Sequence, residues 1–448
     1  MDGKMTQIQL PDEFVARMKS ILGDELPDFI RALNALPCRG IRINPLKRTN
    51  ATACYEKGEP VQWAQAAYYL PCASAAGATI LHEAGAFYLQ EPGAMIPAAA
   101  LNAKPGERIL DLCAAPGGKA TQAGAALHGQ GVIVANEPVM KRAQILSRNI
   151  ERMGIMNAVV TCAWPDQLAG RWPEEFDAVL VDAPCSGEGM FRRVPESRTE
   201  WTREKAAGCA ERQRSILSCA AGMVRAGGRL VYSTCTYHPE ENEENAKWFL
   251  LRFPEFEPVP FFLPGVSAPE GFFTCYPHRM KGEGQFTALF RKKGCAEGHP
   301  NGAMSLPTPS RGEIKTFRNV FPTLPEPNIR LGSTLAKLDS CPDLSGIKVL
   351  RAGLHLGTVR GTVAVPDHAC ALAAEIPDIR AIDLEAEEAC GWLAGSTLDR
   401  EINGWALMRS QGLVIGWGKG SGGIVRNHYP KGLRGSRYLA QDPAVQSL

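Results

Sequence analysis

One segment, residues 108–122 (RILDLCAAPGGKATQ), constrains the fold of this 448-residue chain more than any other. Its apolar start predicts a strand that ends at Asp111, and its Pro116-Gly117-Gly118 sequence predicts a tight turn followed at once by a helix. In doubly wound sheets such turns lie at the carboxyl ends of the strands, where ligands bind. The segment therefore predicts a parallel α/β sheet with a ligand site beside this turn.

The same alternation of apolar strand and amphipathic helix extends from about residue 85 to residue 293. Candidate strands are residues 108–112, 132–136, 158–162, 176–181 and 229–233. Helical spacing covers residues 119–127, 139–153 and about 200–224, and we expect Gly227-Gly228 to end the last of these helices. Short apolar strands alternating with helices predict a doubly wound, Rossmann-like sheet.

Smaller modules are predicted on both sides of this sheet. Residues 11–36 have helical spacing and residues 39–47 indicate a short strand with exposed Arg and Asn, which predicts a small α+β cap in residues 1–70. The main domain is then expected in residues 71–293. Residues 294–330 are rich in Pro, Gly and Ser and predict a linker. Beyond it we expect a small mixed module in 331–375 and a Gly-rich, β-rich module in 376–448.

Composition limits the class of protein. Hydrophobic residues make up 45% of the chain and charged residues 21%, which is typical of a globular protein. No apolar run suggests a signal peptide or a membrane helix, so we expect a cytoplasmic protein. The closest cysteines, Cys209 and Cys219, are ten residues apart. This spacing argues against a zinc knuckle, and we expect free thiols and no metal site.

Charge is concentrated at the C-terminal end. The net charge of the chain is only +2. From Trp405 onward, however, six basic residues face a single acidic one, Asp442, which gives this segment a charge of +5; the basic residues are Arg409, Lys419, Arg426, Lys431, Arg434 and Arg437. This bias favours attraction to phosphates, although an ordinary solvated surface is the alternative.

The predicted turn after Asp111 has the features of a cofactor site. Glycines allow the backbone to come close to a ligand, and the new helix offers free N–H groups. The next strand ends at Asn136-Glu137, nineteen residues beyond Gly118, where a carboxylate can accept both ribose hydroxyls. The dinucleotide sequence G-x-G-x-x-G and the P-loop sequence are both absent. A tight turn without a ligand is the remaining alternative.

Two cysteines follow the next two strands of the predicted sheet. The fourth strand continues into DAPCSGEGMFRR (182–193), and the fifth continues into STCTYHPEEN (233–242). Neighbouring parallel strands therefore bring Asp182, Cys185 and Cys235 to the edge that holds the cofactor turn. One such cysteine would more often be a buried structural residue. Two at adjacent strand ends favour catalysis.

Such a pair suits the methylation of carbon 5 of a pyrimidine. A thiolate that adds to carbon 6 makes carbon 5 able to attack a sulfonium methyl group. The carbon 5 proton must then leave and the cysteine must be expelled, which requires a second group as base or assistant. Asp182 is placed to stabilise charge that develops at ring N3, with electrostatic help from Lys119. The acidic run 240–244 indicates helix capping, and Tyr237 and His238 either line the pocket or hold ordinary loop positions.

Four stretches together resemble the Sun/Fmu-type family of RNA 5-methylcytosine methyltransferases. They are DLCAAPGGK (111–119), DAPCSG (182–187), STCTYHPEEN (233–242) and YLQEPGAM (88–95). Two more resemble the RsmF (YebU) branch of that family, which modifies small-subunit ribosomal RNA: GEGMFRR (187–193) and residues 416–434, which end in NHYPKGLR. The resemblance covers most of the chain and implies a class I methyltransferase sheet with a C-terminal PUA-like module.

The resemblance also implies the role of each site residue. Cys235 would be the nucleophile, Cys185 would help to release the product, and Asp182 would meet both the pyrimidine and the cofactor's surroundings. Trp164 stands where the family often has an acid that meets adenine, and Asp166 follows two residues later, so the adenine contact is unassigned. S-adenosylmethionine would be bound by Cys113, Ala114, Ala115, Pro116, Gly117, Gly118, Lys119, Glu137 and Asp182.

The expected partner is RNA, namely 16S ribosomal RNA or the small ribosomal subunit, bound with help from the N-terminal cap and the PUA-like module. Neither DNA nor a membrane is expected as a partner, and we expect a monomer. One alternative is a DNA cytosine-5 methyltransferase, in which Cys185 would be the nucleophile. Another is a ribosome-assembly factor that binds RNA without catalysis. The Thr234-Cys235-Thr236 turn and the basic PUA-like module argue against the DNA enzyme, and the intact cysteine pair with Glu137 argues against the non-catalytic factor.

Overall fold

The computed structural model describes residues 9–47, 49–56, 58–296, 298, 305–373, 379–435 and 438–443. Pro300 of the predicted linker and Arg437 of the basic C-terminal segment lie outside these residues. Among the described residues, no helix combines the length and the apolar character needed to cross a membrane.

The N-terminal segment combines helices with a three-stranded antiparallel sheet in the order β2-β1-β3. Its helices are α1 (Asp12–Leu22), α2 (Leu26–Leu33), α3 (Ala53–Glu56) and α4 (Ile80–Glu83), and its strands are β1 (Gly40–Ile43), β2 (Ala67–Tyr69) and β3 (Phe87–Leu89). The helical segment predicted over residues 11–36 is present but divided into α1 and α2. Gly23 has a φ of 53°, a left-handed backbone that ends α1, and a 3-10 turn separates it from α2.

The central sheet lies in the next part of the chain. Its helices are α5 (Ile96–Leu101), α6 (Gly118–Ala126), α7 (Met140–Arg152), α8 (Pro165–Ala169), α9 (Ser197–Glu200), α10 (Arg203–Met223) and α11 (Glu243–Arg252). Its strands are β4 (Arg108–Asp111), β5 (Val132–Asn136), β6 (Ala158–Thr161), β7 (Phe176–Asp182) and β8 (Val224–Thr234). Further strands are β9 (Phe256–Pro258), β10 (Phe261–Leu263), β11 (Val266–Ala268), β12 (Phe272–Cys275) and β13 (Gln285–Lys292).

The strand order confirms the doubly wound fold. Strands run β12-β13-β8-β7-β4-β5-β6, and the five from β8 to β6 are parallel. Strand β13 is antiparallel to β8. The chain order reverses between β4 and β7, so their carboxyl ends form the switch point at which ligands bind in such sheets. The predicted turn after Asp111 lies at this point.

Two sequence expectations near the sheet are wrong. Helix α10 ends at Met223, directly before β8, and Gly227-Gly228 lies in an irregular part of the strand where the register with β7 shifts. Arg42 and Asn44 were expected to be exposed but are buried. The Arg42 guanidinium donates hydrogen bonds to the Gly118 carbonyl at 3.0 Å and to Thr121 Oγ1 at 2.9 Å. Strand β1 is thereby joined to the start of α6.

The C-terminal half adds two more sheets. After α12 (Arg311–Val320) come β14 (Ile329–Leu331), β15 (Thr334–Lys337), β16 (Val349–Ala352), β17 (Leu354–Arg360), β18 (Val363–Pro366) and α13 (His368–Ala371). The last module consists of β19 (Ala381–Asp383), α14 (Ala386–Ala394), β20 (Leu398–Asp399), β21 (Gly404–Ser410), β22 (Leu413–Ser421) and β23 (Ile424–Asn427). Strand β16 pairs with β6 and so extends the central sheet.

The modules share their hydrophobic cores. Helix α12, within the segment predicted as a linker, buries Phe317 in a cluster that also contains Leu356 and Trp417. A second cluster joins the N-terminal segment to the last module, with Phe87 and Trp392 among its members. The domain boundaries proposed from the sequence stay predictions.

Candidate active site

The first wall of the site is the turn between β4 and α6. Gly117 has a φ of 113°, a conformation that strongly favours glycine, and it precedes the first residue of α6. At Gly118 an added Cβ would lie 3.3 Å from the Gln90 side chain, so the backbone here is closely packed. The turn from Cys113 to Gly118 thus takes the form expected from the sequence.

Glu137 lies at the end of β5, beside this turn, and its side chain is almost fully buried. Its carboxylate accepts a hydrogen bond from the Val139 backbone N–H at 2.9 Å, and it pairs with Arg142 at 3.1 Å. The Arg142 guanidinium also donates to the Ala115 carbonyl at 3.1 Å. The predicted ribose-binding carboxylate is therefore fixed against the cofactor turn.

Lys119 and Asp182 form an ion pair on the floor of the site. Lys119 Nζ lies 2.7 Å from Asp182 Oδ2, and Asp182 Oδ1 accepts a hydrogen bond from Ser233 Oγ at 2.7 Å. Burial lowers the pKa of Lys119, but the charge and hydrogen bond of Asp182 outweigh burial, so the pKa is raised. Lys119 is therefore a permanent cation that holds Asp182 between the ends of β4, β7 and β8.

The two cysteines proposed as catalytic lie in contact with each other. Cys185 Sγ and Cys235 Sγ are 3.1 Å apart, and the Cys235 backbone N–H donates to Cys185 Sγ at 3.3 Å. The hydrogen bond to Cys235, together with burial, raises the pKa of the Cys185 thiol. The two sulfurs are therefore in hydrogen-bonding contact, and either of them can be the donor.

A buried carboxylate, Glu241, ties the two cysteine loops together. It accepts hydrogen bonds from Ser186 N at 2.9 Å, from Ser186 Oγ at 2.5 Å and from Gln213 Nε2 at 2.9 Å. Burial raises the pKa of Glu241 although these donors oppose the shift. The expectation that the acidic run serves only to cap a helix is wrong for this residue. Glu241 follows Cys235 in the chain but binds the loop of Cys185.

A second buried carboxylate links the same loops to the N-terminal segment. Glu188 is fully buried and accepts from Arg17 of α1 at 2.6 Å and from the Tyr237 backbone N–H at 3.2 Å. Helix α1 is thus fixed to the turn that follows Cys235. The sequence offered one signal for this contact, an acidic residue directly after the Gly187 turn, but its partner is 171 residues away.

Asp111, the last residue of β4, is the least satisfied polar group of the site. It is 1% exposed, and neither carboxylate oxygen has a hydrogen-bond partner at standard geometry among the residues that the structure describes. Burial, and next the charge of Asp182, raise the pKa of Asp111 to about 8. A positively charged ligand beside β4 would supply the missing partner.

Trp164, which precedes α8, is 61% exposed, and Asp166 is also exposed. The adenine contact is therefore still unassigned. The structure records all 14 cysteines as free, and among the described residues no three His, Cys, Asp or Glu side chains are grouped to hold a metal ion.

Family models match almost the whole chain. The model of the 16S rRNA methyltransferase RsmB/F covers residues 98–291, and the N-terminal domain of 16S rRNA methyltransferase RsmF covers residues 10–92. The first C-terminal domain of the RsmF rRNA methyltransferase covers 317–373, and the RsmF PUA domain covers 379–435. The chain belongs to the RsmF family. The resemblance noted in the sequence and its PUA-like module are thereby confirmed.

Individual proteins agree with the RsmF assignment. Ribosomal RNA small subunit methyltransferase F of Klebsiella pneumoniae (strain 342) is 32% identical over 95% of this chain and 97% of its own. The Pectobacterium atrosepticum protein of that name is 37% identical over 65% of this chain and 64% of its own. A methyltransferase homolog protein from Pyrococcus horikoshii is 28% identical, with a TM-score of 0.54 over 64% of this chain and 96% of its own.

Within this RsmF-family fold, the described residues bring the proposed catalytic side chains together. Lys119, Asp182, Cys185 and Cys235 lie in direct contact as two adjoining pairs, and Glu137 borders the neighbouring turn. Sequence reasoning missed Asp111, Glu188 and Glu241. Each is an acidic residue within a recognised motif, but its significance depends on burial and on partners distant in the chain.

Proposed function

We propose that this chain transfers a methyl group from S-adenosylmethionine to carbon 5 of a cytosine in 16S ribosomal RNA, through a covalent bond between Cys235 and carbon 6. The observation that carries the proposal is the contact of the two cysteine sulfurs, 3.1 Å apart, beside the Lys119–Asp182 pair. Membership of a family named for 16S rRNA methylation supports RNA as the substrate.

The residues beside β4 fit S-adenosylmethionine. Glu137 would accept the ribose hydroxyls, and the turn of residues 113–118 would let the backbone approach the ligand closely. The unpartnered carboxylate of Asp111 suits a cofactor that has both an ammonium and a sulfonium group. When bound, S-adenosylmethionine supplies an electrophilic methyl group.

The side chains of the site then act in order. The Cys235 thiolate adds to carbon 6 of the cytosine, and the electron pair of the C5–C6 double bond makes carbon 5 nucleophilic. The addition places negative charge on the ring at N3, and a protonated Asp182 stabilises it as a hydrogen-bond donor, with electrostatic help from Lys119. Carbon 5 takes the methyl group. Cys185, or a base that it assists, takes the carbon 5 proton, and the electron pair left behind re-forms the double bond and expels Cys235.

The resemblance to RNA 5-methylcytosine methyltransferases favours Cys235 as the nucleophile. A DNA-type mechanism would require the opposite assignment. We therefore propose RNA and not DNA as the substrate.

Trapping of the covalent complex tests these roles. Cys235→Ala should abolish both methyl transfer and any covalent complex with RNA. Cys185→Ala should still attack, transfer the methyl group and remain attached to RNA, giving a slowly migrating band on a denaturing gel. Cys219→Ala, a half-buried cysteine of α10, is the control and should behave as wild type.

The opposite pattern would reverse the assignment. A band with Cys235→Ala and none with Cys185→Ala would make Cys185 the nucleophile and revive the DNA-type mechanism. Full activity in both variants would mean that both cysteines are structural, and the proposed mechanism would be wrong.

A further inference from the structure

The contact between the two cysteine sulfurs permits a second reaction besides methyl transfer. Cys185 Sγ and Cys235 Sγ are 3.1 Å apart. A disulfide requires about 2.05 Å, so the sulfurs have to approach each other by only about 1 Å. A small rotation of each side chain about its Cα–Cβ bond supplies a movement of this size. The pair is therefore close to the geometry of a disulfide, although both thiols are free in the structure.

Further contacts hold together the two loops that carry these sulfurs. Directly after the cysteines, Ser186 Oγ and Thr236 Oγ1 are hydrogen-bonded at 2.8 Å, and the Glu241 carboxylate accepts from the same Ser186 hydroxyl. The Gly189 backbone N–H donates to the Cys235 carbonyl at 2.9 Å. Because these contacts fix one thiol beside the other, a disulfide would form within the folded chain between groups already in position, and neither loop has to unfold.

The cysteine pair is within reach of small molecules from solvent. Both cysteines of the pair are half-buried, whereas Cys275, Cys341 and Cys370 are buried. Pro184, which directly precedes Cys185, is exposed. Hydrogen peroxide is much smaller than the nucleotide that this site is proposed to admit. A small oxidant can therefore reach the pair in the RNA-free protein.

A third cysteine, Cys209 of α10, lies in the same region. Burial, and next the charge of Glu241, raise the pKa of the Cys209 thiol, and the charge of Cys235 adds to this shift. One helical turn further along α10, Gln213 Nε2 donates to the Pro184 carbonyl at 3.0 Å. Cys209 is thus a competing thiol, and a test of the pair has to distinguish it from the two cysteines in contact.

We propose that Cys185 and Cys235 form a reversible disulfide when the RNA-free protein meets hydrogen peroxide, and that this disulfide switches methyl transfer off. The regulatory part rests on the proposed function, because a disulfide leaves Cys235 without the free sulfur that adds to carbon 6. In reducing compartments, the disulfides that do form are usually transient and catalytic or redox-sensing.

The oxidation takes place in two steps. The thiolate of one cysteine attacks an oxygen of hydrogen peroxide, the O–O bond breaks, and a sulfenic acid and hydroxide are formed. The thiolate of the other cysteine then attacks the sulfur of the sulfenic acid, so that the S–S bond forms and hydroxide leaves. The two thiol protons convert both hydroxides to water. A reduced dithiol reverses the result by exchange, because its own sulfurs become the disulfide.

The test treats the full-length protein with hydrogen peroxide in the absence of RNA, and then measures mass and methyl transfer on the same samples. The wild-type chain should become about 2 Da lighter, and peptide mapping without reduction should find Cys185 joined to Cys235. Methyl transfer to 16S rRNA should fall in proportion to the cross-linked fraction. Dithiothreitol should restore both the original mass and the activity.

Variants with one cysteine removed separate cross-linking from simple oxidation. Cys185→Ala and Cys235→Ala cannot form the bond, so the remaining thiol should proceed to the sulfinic acid, about 32 Da heavier, which dithiothreitol does not reverse. Cys209→Ala and Cys219→Ala are the controls. Both should methylate RNA and form the reversible cross-link as wild type does.

Three results would overturn the inference. They are a peroxide-treated wild-type chain without the Cys185–Cys235 cross-link, a cross-link to Cys209 in its place, and full methyl transfer by the cross-linked protein. A failure of the proposed function gives a different pattern. If the reversible cross-link forms but the reduced protein transfers no methyl group, the disulfide stands and the proposed reaction is wrong. If the reduced protein methylates cytosine and no cross-link forms, the switch is wrong and the proposed reaction stands.

Discussion

At the scale of single residues, Asp111 has the most unusual environment of the site. Its pKa is raised to about 8, first by burial and then by the charge of Asp182. An acid whose pKa is higher in the folded than in the unfolded protein destabilises the fold as the pH rises between those two values. For Asp111 this window extends from about 4 to about 8. The Asp111 carboxyl group thus lowers the stability of the cofactor-free protein at neutral pH.

Replacing the Asp111 carboxyl group by a neutral amide should remove this loss of stability. Without cofactor, Asp111→Asn should unfold at a higher temperature than wild type at about pH 7.5, and the difference should shrink towards about pH 5. The largest gain is about 1.4 kcal/mol per pH unit within the window. Thermal unfolding at the two pH values checks this, with Asp166→Asn, an exposed acid of α8, as the control. A difference that does not depend on pH would contradict the pKa.

The positions of single residues were predictable where a motif placed the residue in a loop or helix start that follows a strand. Glu137, Lys119 and both cysteines were located in this way, because the carboxyl ends of parallel strands meet at one edge of the sheet. Asp111 was part of the same motif, but its burial without a partner depends on side chains from β7 and α6. No local pattern in the sequence contains that information.

At the scale of elements, the site depends on how the loops after β7 and β8 are held together. Glu241 accepts three hydrogen bonds, two of them from Ser186 next to Cys185 and one from Gln213 of α10. The Tyr232 hydroxyl donates to the Glu241 backbone carbonyl. Glu241 is therefore a positioning residue, since it acts on the sulfur–sulfur distance through the loops and contacts neither sulfur itself.

Loss of this carboxylate should slow chemistry without weakening cofactor binding. Glu241→Gln removes a charged acceptor for which hydrogen bonds are worth about 1.5–3 kcal/mol, so kcat should fall by about tenfold to a hundredfold. The rate at which the covalent complex forms should fall in parallel, while the affinity for S-adenosylmethionine should not change. Glu244→Gln, an exposed member of the same acidic run, is the matched control. An equal fall in both variants would show that Glu241 acts only as a helix cap.

The strands were predicted well where the apolar periodicity of the sequence was strong. Four of the five predicted strands match β4 to β7 within one residue at each end. The N-terminal segment was less predictable, because Arg42 has the pattern of an exposed strand residue. Its guanidinium is instead buried against the first turn of α6. A local sequence pattern cannot predict a contact with a helix 76 residues away.

At the scale of the whole molecule, the modules are not independent. The last module and the N-terminal segment share one hydrophobic cluster, and the hydroxyl of Tyr429 donates to Glu83 of α4 at 3.0 Å. Removal of residues 376–448 would therefore expose the core of the N-terminal segment. Loss of RNA binding by such a truncated chain would not distinguish a lost phosphate contact from damage to the fold.

Point substitutions on the surface of the last module avoid this problem. Lys419 and Arg426 are exposed partners on neighbouring strands β22 and β23, and Lys431 is exposed beyond them. If these three side chains contact RNA phosphates, their replacement by Gln should release about three fewer counterions upon binding. The slope of log affinity against log salt should then flatten by about 2, at about 0.7 per phosphate contact on single-stranded RNA. Binding measured across a salt series checks this.

Arg400→Gln, a residue of the same module that is already paired with Glu388 at 2.5 Å, should leave the slope unchanged. Equal slopes for the triple variant and wild type would exclude this surface from the RNA contact, and the positive charge of the last module would then be an ordinary solvated surface.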